Sequence, residues 1–138
     1  RTNYRTFDAA AFLRRAGADT VDVKKLMQSG LEQTVEKYKI LQGARLYRSM
    51  AVAIPDKPHN RVVAAQAADE LLNVAGVEAS MVMYPTDDGG VFVSARSIIM
   101  EKLGGGGNRA AAAAQLSDIS LQDAAKKLFA AIDEYMDS

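Results

Sequence analysis

The sequence predicts an α/β fold: a small mixed β-sheet of three to four or more strands with packed helices, preceded by a helical lead-in. Four changes of hydrophobic period predict it. Up to Gly43 the apolar residues recur at helical spacing, and from Leu46 they alternate. Helical spacing returns after Asn60 and again after Ser120, with strand-like runs at Ala79–Tyr84 and Val91–Ser97 between them.

In the lead-in, Thr6 suits the N-cap of a helix from Phe7 to Ala16, with Asp8 in the first turn and Gly17 at the end. A second short helix is expected from Thr20 to about Gln28, with Val23, Leu26 and Met27 turned inward. Ser29 and Glu32 form a capping-box pattern for a third, striped by Leu31, Val35, Tyr38 and Leu41 and stopped by Gly43. These helices cannot hide their apolar faces alone.

Leu46 to Ile54 reads as one strand, closed by Pro55 and Pro58. Asn60 caps a helix through Val74 with Val63, Ala67, Leu71 and Val74 on one face. The strand Ala79–Tyr84 is apolar on both faces, which places it near the middle of a sheet. The turn from Pro85 to Gly90 returns the chain antiparallel into Val91–Ser97, making a hairpin. A short helical turn is expected from Ile98 to Leu103. Propensity makes the alanine tract helical, but its position between a loop and the Ser117-Asp118 turn favours a short strand at Ala112–Leu116. Ser120, with Asp123 at the third position, caps a last helix carrying Leu121, Ala125, Leu128, Ile132 and Tyr135.

The run Gly104-Gly105-Gly106-Gly107 stabilises neither helix nor strand, because each glycine loses more backbone entropy on ordering than any other residue. A loop whose N–H groups turn toward an anion repays that loss, and Arg96, at the end of the preceding strand, supplies a cation whose planar fork matches phosphate oxygens. The competing reading is a mobile linker, although linkers of this kind are usually flanked by serines and polar residues rather than by Leu103 and alanines. Arg96, Ser97, Gly104, Gly105, Gly106, Gly107 and Asn108 are therefore the candidate substrate-binding residues. The anion site would lie off the strand's C-terminal end.

Composition restricts the partners. A chain of 138 residues holds one main domain. Lys plus Arg and Asp plus Glu number 17 each, so no overall field draws the chain to nucleic acid or to an acidic membrane, and any anion site is local. The absence of Cys excludes disulfides and thiolate metal sites and is compatible with a reducing cytoplasm. No apolar run reaches the length of a bilayer span and no signal peptide opens the chain, whose start at Arg1-Thr2-Asn3-Tyr4 reads as the middle of something longer.

The stretches RTFDAAAFLRRAGAD, LLNVAGVEASMVMY, SARS and IMEKLGGGG, followed by AAAAAQL, together resemble the C-terminal part of bacterial cyclic-di-AMP phosphodiesterases of the GdpP type, in the DHH phosphoesterase superfamily. The resemblance implies that residues 1–18 are the tail of a catalytic DHH domain, 19–43 a helical connector and 44–138 a DHH-associated substrate-binding domain. It implies a manganese pair in the parent's catalytic domain, with no cofactor and no catalytic residue in this chain. The implied partners are a cyclic or linear adenine dinucleotide and the catalytic DHH domain in cis, with a homodimer open to it and no stable nucleic-acid binding. The implied place is the cytoplasmic side of a membrane-anchored parent.

Two departures stand out. Asn108 follows the glycines where the family usually has His; Asn hydrogen-bonds but cannot carry a proton's charge. The family also has several more residues between SARS and IMEKL, so residues are expected to be missing between Ser97 and Ile98.

The sole histidine, His59, sits in a polar loop and reads as solvated, and no carboxylate or histidine spacing marks a metal site. Arg14-Arg15 and Lys24-Lys25 read as solvated faces. Three functions of different class follow: the substrate-binding part of a cyclic-dinucleotide phosphodiesterase, part of a related nanoRNase or 3′-phosphoadenosine phosphate phosphatase, or a single-stranded nucleic-acid module. The third is disfavoured by zero net charge and the lack of a basic stripe interleaved with aromatics.

Overall fold

The computed structural model describes residues 8–15, 20–100 and 107–137, in two compact units, Arg1–Val35 and Glu36–Ser138. In the first, helix α1 is Ala9–Arg15, and the Asp8 carboxylate accepts from the Ala11 N–H at 3.1 Å. Asp8 thus caps the first described turn; the expected cap Thr6 and stop Gly17 lie outside the described residues. Helix α2 runs without a break from Thr20 to Gln42, so the separate helices expected on either side of Ser29 are one. A capping box begins a helix only where the backbone before it leaves helical geometry, and here Gln28 Nε2 donates toward Glu32 Oε1 at 3.4 Å across the supposed boundary, one turn of a continuous helix. Within this unit Leu26, Met27 and Leu31 are exposed.

The second unit begins with the last turns of α2, where Ile40 is buried and Gly43 and Ala44 close the helix onto the Ile40 and Leu41 carbonyls. The strand expected over Leu46–Ile54 is instead a tight hairpin of β1, Arg45–Tyr47, and β2, Met50–Ala53. Arg48 makes the reversal at φ 57°, a conformation that costs a non-glycine residue energy. Its guanidinium is held by Asp133 at 3.2 Å and Asp137 at 2.8 Å, while the Tyr47 hydroxyl donates to the Asp133 carboxylate at 2.7 Å. Both carboxylates belong to the last helix, α4, Leu121–Asp137, and Phe129 of that helix packs on the Tyr47 ring.

Helix α3, Arg61–Leu72, crosses from β2 to the parallel strand β3, Ala79–Pro85. The Asn60 side chain caps it, accepting from the Val62 and Val63 N–H groups. A turn through Gly89 at φ 84° leads antiparallel into β4, Val91–Met100, which pairs in turn with β5, Gly107–Leu116. Ten paired positions with β4 override the helical propensity of the alanines, giving a strand longer than expected. The sheet order is β1-β2-β3-β4-β5, with β2–β3 the one parallel pair.

Among the described residues, Ile98, Ile99 and Met100 continue β4 where the short helix was expected to begin. Ser97 and Ile98 are consecutive residues of β4, opposite Ala110 and Arg109, so the chain needs no connector there and the physical ground for missing residues falls away. Glu101, Lys102 and Leu103 lie outside the described residues.

On one sheet face α3 buries Val63, Ala64, Ala67, Ala68, Leu71 and Leu72 in the core that contains Val82, Tyr84 and Phe92. The methyl side chains let the helix approach closely. On the other face α4 and its lead-in bring Ala124, Ile119 and Leu128 to Met83, Val91 and Val93. Ser120, as expected, caps α4 by accepting from the Asp123 N–H.

Gly90 is where the hairpin leaves no room: a Cβ there would lie 2.2 Å from the Leu116 carbonyl oxygen. Gly90→Ala is expected to lower stability by roughly 1–3 kcal/mol in urea denaturation, since backbone has to move. An unchanged midpoint would contradict this packing. A second expectation concerns pH. The Asp133 carboxylate raises the Tyr47 ionisation above the ordinary 10.0, so the clasp's contribution is complete below that pH and is lost as pH rises through the folded value. Tyr47→Phe should therefore flatten the alkaline fall in stability; an identical pH profile would show that the clasp is not what titrates.

Candidate functional site

Strand alternation sorts the candidate residues. Residues 92, 94, 96 and 98 of β4 share the face covered by α3, and their partners on β5 are 115, 113, 111 and 109. Arg96 therefore lies on the α3 side, and Ser97, the next residue, on the opposite side; the structure does not bring these two side chains to one surface. Of the expected glycines, Gly104, Gly105 and Gly106 lie outside the described residues, and Gly107 opens β5 opposite Met100. Gly107 thus belongs to a strand rather than to a loop. Asn108 pairs with Ile99.

Arg96 is held closely. Its Nε donates to Asp69 Oδ1 at 2.7 Å, and its Nη1 donates to the Ala95 carbonyl at 2.8 Å and toward Ser94 Oγ at 3.4 Å. The stem is buried, leaving the Arg96 side chain 15% exposed, whereas Asp69 is 54% exposed on the rim of α3. One helical turn further on, Asn73 Oδ1 accepts from Arg109 Nη2 at 2.5 Å. Arg109, opposite Ile98, falls on the same face as Arg96. At the far end of that face Arg61 donates to Gln115 at 2.8 Å and lies 4.5 Å over the Phe92 ring.

The result is a row of guanidinium groups beside α3, with Ala111 and Ala113 as small apolar positions between its ends. Such a row can bind an anion and give a flat group a place to rest. Among the described residues no three His, Asp or Glu side chains come together as a metal site. Arg109, Asp69 and Asn73 were absent from the sequence-based set. Asp69 and Asn73 stand four apart on a helix, a readable signal, but nothing local shows that they meet Arg96 and Arg109.

His59 is not solvated as expected. Its Nδ1 lies 2.8 Å from Glu36 Oε2, which also accepts from the Asn60 N–H, and its ring meets the buried Tyr84 edge-on. Burial pushes the Tyr84 hydroxyl above the ordinary tyrosine range. This cluster braces the start of α3. A separate hollow of about 720 Å³ lies between the end of β5 and the start of α4, lined by Asp118, Lys126 and Lys127 among others, away from Arg96.

Residues 48–138 match the model of the DHHA1 domain. The chain is 44% identical over 147 positions to the cyclic-di-AMP phosphodiesterase GdpP of Geobacillus thermodenitrificans, covering 99% of this chain and 22% of that protein. It is 41% identical over 145 positions to the cyclic-di-AMP phosphodiesterase PdeA of Listeria monocytogenes, covering 98% and 22%. With GdpP of Bacillus subtilis the identity is 43% over 150 positions, covering 99% and 23%. The chain thus spans less than a quarter of these relatives' length. The alignments run longer than its 138 residues, so the relatives carry positions that it lacks.

Because Asp69 is half exposed, its pair with Arg96 contributes little to folding. Arg96→Ala is expected to lower stability by roughly 1 kcal/mol or less. A loss of several kcal/mol in denaturant unfolding would instead make Arg96 a structural residue.

Proposed function

Since the chain belongs to the DHHA1 domain family, we propose that it is the nucleotide-binding module of a metal-dependent phosphodiesterase that opens cyclic-di-AMP to the linear dinucleotide. The observation that carries this reading is Arg96: a guanidinium fixed at the edge of α3, beside a half-exposed carboxylate that an anion can displace. In this proposal Arg96 and the backbone of Gly104, Gly105 and Gly106 hold a phosphate; Gly107 is paired within β5, and Asn108, opposite Ile99, falls at a register position on the face of Ser97. Ser97 is left out, because its side chain is on the other face of β4. A base rests against Ala111 and Ala113.

Residues 1–18 would then complete a catalytic DHH domain, 19–43 connect it and 44–138 form the binding module. The parent's metal, proposed as a manganese pair, would be held by that catalytic domain, since the described residues of this chain offer no metal-binding group. The metal would supply the activated water; this chain binds and orients the phosphodiester. The parent is proposed to be anchored in the bacterial membrane with this module on the cytoplasmic side. Among the described residues no helix is long and apolar enough to cross a membrane.

Calorimetry of cyclic-di-AMP against the chain and its Arg96→Ala variant tests the binding site. A charge-assisted hydrogen bond is worth about 1.5–3 kcal/mol, so the variant is expected to bind roughly ten- to hundredfold more weakly. Equal affinities would sink the site. With manganese added, the chain alone is expected to release no linear dinucleotide; turnover abolished by a chelator would overturn the division of labour.

A further inference from the structure

We propose that Asp69 is an internal stand-in for the substrate phosphate and that Arg109 is the second cation of the same site. This rests on the reading of Arg96 given above and adds to it a competitor and a partner.

A guanidinium grips an oxyanion bidentately along either its Nε/Nη2 side or its Nη1/Nη2 end. In Arg96 the Ala95 carbonyl and Ser94 Oγ face the two N–H groups of Nη1, which belongs to the end-on pair, and Asp69 Oδ1 takes Nε from the side-on pair. The Ala95 carbonyl is backbone within the sheet and cannot leave. Asp69 is a side chain at a half-exposed position and can turn to water. The side-on grip is therefore the one a phosphate can take, and only after Asp69 releases Nε.

Arg109 follows from the register. Arg96 is opposite Ala111 and Ile98 is opposite Arg109, so the two arginines are diagonal neighbours on one face. Their partners, Asp69 on α3 and Asn73 at its C-cap, are four residues apart, about 6 Å along the helix axis. One phosphate can bridge two guanidinium groups anchored at that spacing. Arg109 is exposed and bonded to a neutral amide, so it gives up less than Arg96 does on turning to an anion. A phosphate displacing Asp69 exchanges one anion for another at Arg96 and gains Arg109.

Binding of cyclic-di-AMP to the full chain, followed by calorimetry, provides the test. Asp69→Asn removes the competing charge and is expected to tighten binding roughly three- to tenfold. Arg109→Gln is expected to weaken it roughly tenfold. Glu70→Gln is the control for a general charge effect, because Glu70 neighbours Asp69 in sequence but pairs with Lys37; it should change affinity less than twofold, by roughly the amount expected of a screened surface charge. In an Arg96→Ala background most of the gain from Asp69→Asn should vanish. Asp69→Asn binding no more tightly than Glu70→Gln, or more weakly than the parent chain, would overturn the stand-in role. Unchanged affinity in Arg109→Gln would overturn the second cation. Either result with Arg96→Ala still weakened leaves the proposed function in place. No effect of Arg96→Ala itself removes both.

Discussion

Strand β4 is the constraint from which the rest of the second unit follows. It is paired with β3 from Val91 to Ser97 and with β5 from Val91 to Met100, so its backbone is locked on both sides and its side chains have only two directions open. Val91 and Val93 go to α4, and Phe92, Ser94 and Arg96 go to α3. A slip of one residue would exchange these sets, placing Arg96 among the apolar residues under α4. The same register that closes the core therefore aims the guanidinium.

Helix α3 converts that aim into the proposed site. Its buried face is rich in alanine, and Ala64, Ala67 and Ala68 bring the axis close enough for the exposed rim to reach over β4. Asp69 and Asn73 can then meet arginines rising from the strands beneath. Close packing also explains why Ser80 and Ser94, buried on this face, are tolerated: Ser80 Oγ donates to the Ala68 carbonyl at 2.6 Å, and Ser94 lies near the Arg96 guanidinium. The bracing at the other end of the helix, where Glu36 serves both His59 and the Asn60 N–H, fixes where the rim falls.

What could be read from the sequence was what neighbouring residues decide between themselves. Asn60 and Ser120 cap their helices through contacts two or three residues away, and the turn into β4 is set by Thr86 to Gly90. The reversal at Arg48 could not be read, because the residue is neither Gly nor Asn and its left-handed backbone is held by carboxylates 85 and 89 positions away. The unbroken α2 and the full length of β5 were misjudged for related reasons: a capping pattern and an alanine tract express local preference, and helix continuity in one case and pairing with β4 in the other overrule it. Arg96 was legible as a cation of this strand, but not its place within it, since β4 runs on to Met100 instead of ending there, and its partner on α3 was not legible. The separation of Ser97 from Arg96, by contrast, was already implied by the alternation that identified the strand.

Zero net charge gives the proposed binding site its logic. With no overall field to concentrate an anionic ligand, affinity has to come from contacts at the site, and contacts from a half-buried arginine are strong only if the group is held in place beforehand. A half-buried guanidinium without an acceptor would be costly to the fold, and one sealed in a buried ion pair would be unavailable to a ligand. Asp69, at 54% exposure, lies between these limits: near enough to satisfy Nε, and solvated enough to let go. Arg96 can thus be both ordered in the folded chain and open to exchange. Moving Asp69 inward along α3 would strengthen the fold's hold on the arginine at the ligand's expense, and moving it outward would do the reverse.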